Sequence, residues 1–214
     1  MLTEIEKVLP SEIEKRSFEI IAEELGDKQL IPGTESIVKR CIHTSADFDY
    51  ADNLAFSPDV IEQAKAALCN GATIVTDTNM ALSGISKPSL TKLGAKALCL
   101  MADPDIAREA KERGVTRAVV SMEHAARLDG PLIFAVGNAP TALIRLHELI
   151  GKDAVKPALV IGVPVGFVNV VEAKELFIGG KTPYIIARGR KGGSNVAAAI
   201  VNALLYQLIR REGF

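Results

Sequence analysis

The chain of 214 residues contains no tryptophan, only 5% aromatic residues, and three residues each of cysteine and histidine. Cys41, Cys69 and Cys99 form no CxxC pair and have no histidine at ligand spacing, which excludes a zinc ribbon or a disulfide framework as the organising device. As free, small and apolar side chains they suit burial, and a reducing cytoplasm. Charge of one sign is also missing: 25 Lys and Arg against 26 Asp and Glu leave a net charge of −1. Without an overall basic field, nucleic acid is excluded as the expected partner, and any anion site has to be local. Long hydrophobic runs are absent too. The longest, PALVIGVPVGFVNVV at 157–171, carries two prolines and two glycines and is too short for a bilayer, so no membrane association is expected. MLTEIEKVLP has acids where a secretory signal needs an apolar core. The GxSxG, HExxH, P-loop and GxGxxG signatures do not occur.

What is present is a chain that is 48% hydrophobic and long enough to bury a core as one domain, residues 1–214. Ser11 and Glu14 have capping-box spacing, and Ile13, Phe18, Ile21 and Leu25 follow at helical intervals, which predicts a helix over 11–25. A second helix runs from Thr34 to about His43. Ser57–Pro58 and Asp103–Pro104 are cap and first-turn pairs for helices ending near Asn70 and before Gly114. Between helical stretches lie apolar runs at 72–77, 96–101, 131–137, 157–164 and 183–189. Apolar strands alternating with helices predict an α/β fold: a single doubly wound, mostly parallel sheet with helices on both faces, in three layers.

Ligands of such sheets bind beyond the carboxyl ends of the strands. The segments there read DTNM (77–80), GNAPT (137–141), GVPVGF (162–167) and RGRKGGSN (188–195). In the last, Arg188, Arg190 and Lys191 precede Gly192, Gly193 and Ser194 at the start of an apolar helix. Exposed N–H groups and the helix dipole favour a carboxylate or phosphate there, although a tight turn with a solvated basic rim reads equally well. Asn138 offers a cap acceptor and Thr141 a donor, and Gly166 leaves room for a flat ligand against the backbone. His124 and His147 fall in helical patterns and read as surface or satisfied histidines. His43 differs: Arg40 lies one turn before it, Thr44 and Ser45 follow, and Asp47 and Asp49 are near, alternating with Phe48 and Tyr50 as on a solvated strand. An imidazole in such a setting serves as a proton donor near neutrality or as a structural cap.

SFEIIAEE (17–24), VKRCIHTSADFDYA (38–51), GATIVTDTNMALSGI (71–85), GNAPTAL, PALVIGVPVGFVNVVEAKE (157–175) and GRKGGSNVAAAIVNALL (189–205) together resemble, in order, the precorrin-8X methylmutase family. The resemblance spans nearly the whole chain. It implies an isomerase of corrin-ring biosynthesis that moves a methyl group from carbon 11 to carbon 12 of precorrin-8X or cobalt-precorrin-8, giving hydrogenobyrinate or cobyrinate. It implies no cofactor and no protein-held metal, and a cytoplasmic homodimer with its site near the interface, handing product to neighbouring pathway enzymes. His43 matches the family's catalytic histidine, expected to act as general acid toward the ring C nitrogen, with Ser17, Arg40 and Thr44 beside it. Arg40, Arg117 and the Gly192–Gly193–Ser194 turn are expected to clamp the substrate's carboxylates, with Asn138, Thr141 and Gly166 also at the ligand. The alternative is a tetrapyrrole carrier that keeps the pocket without chemistry. One departure is Ala173, where the family pattern has serine.

Overall fold

The alternation of apolar runs with helical segments resolves, in a computed structural model describing residues 6–209, into six strands and eleven α-helices. A 3-10 turn at Pro10–Glu12 leads into α1 (Ile13–Leu25), α2 (Glu35–Ser45), α3 (Tyr50–Asn53), β1 (Leu54–Phe56) and α4 (Val60–Cys69). Next come β2 (Thr73–Thr76), α5 (Asn79–Gly84), α6 (Lys87–Leu93), β3 (Lys96–Leu98), α7 (Pro104–Arg113) and α8 (Arg117–Ala125). The chain continues through β4 (Leu132–Val136), α9 (Pro140–Gly151), β5 (Leu159–Gly162), α10 (Val170–Glu175), β6 (Tyr184–Ala187) and α11 (Ser194–Leu208).

The sheet order is β1-β6-β5-β4-β2-β3, parallel except where β1 runs against β6. Along β4, Ile133 and Ala135 enter the core shared with α2, α4 and α11, while Leu132, Phe134 and Val136 enter the core under α8 and α9. Both faces are therefore covered, which is why these strands are apolar throughout instead of alternating. From β2 the chain winds outward to β3, and from β4 it winds the other way through β5 to β6, so the switch point lies between the carboxyl ends of β2 and β4. No helix of the described residues is long and apolar enough to cross a membrane.

Three local expectations fail for identifiable reasons. Ser11 does not cap α1: Pro10 fixes a 3-10 turn whose Glu12 N–H donates to the Leu9 carbonyl at 2.8 Å, and the α-helix starts only after it. Ser57 does not cap α4 because the sheet uses both its N–H and its hydroxyl. Its N–H donates to the Tyr184 carbonyl at 3.0 Å and its Oγ accepts from the Tyr184 N–H at 2.9 Å, leaving Asp59, at φ 56°, as the residue before the helix. Residues 47–50 are a turn entering α3 and no strand; the extended segment is β1, just after it. The other boundaries fall close to expectation, with α2 running two residues past His43 to a left-handed Ala46.

Candidate active site

At the switch point the structure places a residue that the sequence did not single out. Asp77 follows β2 and is 1% exposed. Its Oδ1 accepts from the Gly137 N–H at 2.8 Å, and its Oδ2 from the N–H groups of Asn138 at 2.8 Å and Ala139 at 2.6 Å. Ala139 precedes α9 and has no cap of its own, so the carboxylate caps that helix from another strand. Asn138 thus contributes its backbone to this arrangement and is not a cap acceptor. Burial outweighs the three donors and holds the Asp77 carboxyl above its ordinary value. Asp77→Asn keeps the shape but turns an NH2 toward backbone donors. It is expected to cost about 2–3 kcal/mol and, at about 2–4 °C per kcal/mol for a domain of this size, to lower the melting temperature by roughly 4–12 °C. Thermal melting checks this, and an unchanged midpoint would mean that the three N–H groups find other acceptors.

Glycines let three backbones meet beside this point. A Cβ on Gly137 would lie 2.7 Å from Ser194 Cα and 2.8 Å from the Gly193 carbonyl oxygen, and one on Gly192 would lie 2.0 Å from the Val163 oxygen. The Gly193 N–H donates to that same Val163 oxygen at 2.9 Å. Ser194 is 9% exposed and its hydroxyl is 2.7 Å from Thr78 Oγ1, which in turn accepts from the Ala81 N–H to cap α5. Its side chain therefore joins two helix starts. Beyond β5, the Gly166 N–H donates to the Arg190 carbonyl at 3.1 Å, and the Arg190 guanidinium sits 5.4 Å from the ring centre of an exposed Phe167.

Lys174, on α10, is fully buried beneath this turn and donates to the carbonyls of Gly189 at 2.9 Å and Lys191 at 2.8 Å. Burial pushes its ammonium down to about 8. Ala173, next to it, is also fully buried in the core shared with α9, so the departure from serine faces packing. The Lys191 ammonium lies 2.6 Å from both Asp47 and Asp49, fastening the Gly-rich turn to the loop that follows α2. Those two acids are the partners of this lysine, whose hydrogen bond holds the Asp47 carboxyl below its ordinary value.

His43 occupies the last turn of α2 with its ring exposed and stacked on Phe18 of α1, centroids 5.2 Å apart at 20°. Its ring nitrogens make no hydrogen bond to the described residues, whereas His124 Nε2 is 2.8 Å from Glu109 and His147 lies edge-on to Phe177. Arg40 pairs with Glu14 at 2.7 Å, and its guanidinium lies 5.1 Å from the Phe18 centroid and 4.8 Å from that of Tyr206. Ser17 donates to the Ile13 carbonyl of its own helix at 2.9 Å. A pocket of about 210 Å³ opens beside the imidazole, bounded by Arg40, Thr44, Gly84, Asn195, Ala198 and Asn202 among others. Asn202 shapes its rim, accepting from the Ser86 N–H and donating to the Gly84 carbonyl, each at 2.8 Å. The small α11 side chains that make the room were legible only as an apolar helix.

The expected site residues therefore fall into groups. Arg40, His43 and Thr44 line the pocket; Gly192, Gly193 and Ser194 directly precede Asn195 on its wall, and Gly166 is tied to that turn through the Arg190 carbonyl. Arg117 opens α8 after Thr116, whose hydroxyl is 3.1 Å from that of Thr141. Thr141 borders a different pocket with Arg113, Glu123 and Arg145, so this pair is not brought to His43 within one chain. There Glu123 takes a two-pronged contact from Arg113 at 2.5 and 2.9 Å, a pin between α7 and α8.

A family model described as precorrin-8X methylmutase matches residues 12–207. The cobalt-precorrin-8 methylmutase of Salmonella typhimurium is 46% identical over 205 residues, 93% of this chain and 96% of that one. The precorrin-8X methylmutase of Pseudomonas aeruginosa is 39% identical, over 90% and 93%. The crystal structure of precorrin-8X methyl mutase from Thermus thermophilus superposes with a TM-score of 0.83 at 38% identity, covering 91% of this chain and 96% of that one.

Proposed function

Since the chain belongs to the precorrin-8X methylmutase family of isomerases, we propose that it moves a methyl group from carbon 11 to carbon 12 of precorrin-8X or cobalt-precorrin-8, with His43 as general acid. The carbon 11–methyl bond breaks as the carbon 12–methyl bond forms, and the conjugated system absorbs the shift in electrons. A proton or strong hydrogen bond at the ring C nitrogen polarises that system toward the transition state. The observation that carries the reading is the His43 ring itself: exposed at a pocket, oriented by its stack on Phe18, and with neither nitrogen hydrogen-bonded to a described residue. A donor held by packing keeps its hydrogen for the substrate.

The macrocycle presents an apolar ring with acetate and propionate arms. In this reading the ring lies toward Gly166 and the exposed Phe167, and the arms reach Arg40 and the Gly192–Gly193–Ser194 turn. The Arg40 guanidinium lies close to the Phe18 and Tyr206 rings and pairs with Glu14 through one of its nitrogens, and its fork suits it to carboxylates. Arg117 and Thr141 take part from a second subunit of a cytoplasmic homodimer, or contact a far arm of the ligand. Cobalt, where the substrate carries it, arrives within the macrocycle, and the product passes to the next pathway enzyme.

The test is the visible spectrum of precorrin-8X, and separately of cobalt-precorrin-8, incubated with catalytic amounts of the protein. Conversion to hydrogenobyrinate or cobyrinate over many turnovers is expected. A spectrum unchanged despite stoichiometric binding would sink the mutase reading and leave a carrier.

A further inference from the structure

The mechanism above leaves the buried ammonium of Lys174 unused. Lys174 is a lysine of zero exposure, and burial is the sole cause that displaces its ammonium from the ordinary range: no carboxylate of the described residues offsets it. A buried charge without a counter-ion is costly, and such groups concentrate at functional sites. Its hydrogen bonds say what it does. The carbonyls of Gly189 and Lys191 are drawn to its Nζ, and the Arg190 carbonyl between them takes the Gly166 N–H.

All described peptides here are trans, and in a planar trans peptide the C=O and the following N–H point in opposite directions. Pulling the Gly189 and Lys191 carbonyls toward Lys174 therefore turns the N–H groups of Arg190 and Gly192 away from it. The Lys191 N–H likewise points away from Gly166. None of these three N–H groups donates to another described residue, whereas the next, on Gly193, is consumed by Val163. Arg190 and Lys191 lie at the surface while Lys174 lies beneath. Successive N–H groups presented this way make a concavity for an anion.

We propose that Lys174 is the positioning residue of this turn: it fixes the inward direction of two carbonyls, so that the N–H groups of Arg190 and Gly192, backed by its own uncompensated charge, receive a carboxylate arm of the tetrapyrrole. The inference rests on the methylmutase reading and deepens it by assigning the carboxylate a backbone seat with a lysine behind it.

Two probes test it, hydrogenobyrinate and its fully methylated ester, which has the same ring without anions. Lys174→Met is expected to weaken binding of the acid about 10- to 100-fold, the range for losing a charge-assisted contact, and to leave the ester's affinity unchanged. A purely structural lysine would lower both together, and that result, or an unchanged affinity for the acid, overturns the proposal. Lys174→Gln, also uncharged, carries the same expectation and the same reversal should the Met variant not fold. In the wild-type protein, the amide protons of Arg190 and Gly192 are expected to move downfield on adding hydrogenobyrinate but not the ester; amides that stay in place with the acid bound also overturn it. Failure of the underlying reading looks different: the wild type then binds neither probe and leaves precorrin-8X unconverted.

Discussion

His43→Ala is expected to lower turnover by about 10²- to 10⁴-fold, the usual contribution of a positioned acid, while the dissociation constant for product changes by less than about threefold. The fold should not suffer, because the ring is exposed and bonds to no described residue; only the stack on Phe18 is lost, a contact of about 0.5–1.5 kcal/mol. Rate measured by absorbance and affinity by titration separate the possibilities. A drop in affinity equal to the drop in rate would make His43 a ligand contact and return the proton donor to some other group. Phe18→Leu is a useful companion, since it removes the stack and keeps the imidazole: a rate lowered less than in His43→Ala would tie Phe18 to the ring's aim.

Gly192→Ala is expected to damage the protein more than any other single methyl added at the sheet's carboxyl edge. The new Cβ would overlap the Val163 carbonyl oxygen at 2.0 Å; its position is fixed by the backbone and the oxygen is itself a backbone atom, so no side-chain rotation relieves the clash. At φ 159° the glycine is also near the limit of what a side chain tolerates. Overpacking of this kind costs about 3 kcal/mol or more, equivalent to a melting temperature lower by roughly 6–12 °C for a domain of this size. The Gly193 N–H would leave the same Val163 oxygen, so carboxylate binding is expected to fall with stability. A variant that melts with the wild type and binds product normally would show that the turn can relax outward. Gly94 is the control: it has a positive φ but open space around its Cβ position, so alanine there costs only backbone strain, about 1–2 kcal/mol.

Five of the six strands were legible because each is apolar on both faces, and a sheet covered by helices on both sides demands that. The missed strand, Leu54–Phe56, is an edge strand whose apolar run, LAF, is shorter than the ALCLM run that marks β3, so no periodicity could announce it. His43 and the GRKGGSN turn stood out by composition, and the methylmutase resemblance attached roles to them. Asp77 and Lys174 did not stand out, since a lone acid after a strand and a lone lysine in a short helix carry no pattern. What defines them is partners met through the fold, the Asp77 donors being 60 to 62 residues away. The link from Lys191 to Asp49, across 142 residues, is of the same kind. Sequence spacing reads contacts within a turn or a helix, and these are contacts between separate elements that only the fold brings together.

The placement of α2 and β1 bears on when the protein becomes active as it is made. The segment carrying His43 is made before α11, yet α2 packs most extensively on α11, and among the described residues β1 pairs with β6 alone. Both partners belong to the final thirty or so residues of the described chain, and at roughly 5–20 residues per second they arrive many seconds after the histidine. Until then the pocket beside His43 lacks the wall that Asn195, Ala198, Ala199 and Asn202 supply. Under the proposed assignment, a nascent chain carries His43 before it has the helix that completes the pocket, and activity is expected only once α11 has packed on α2.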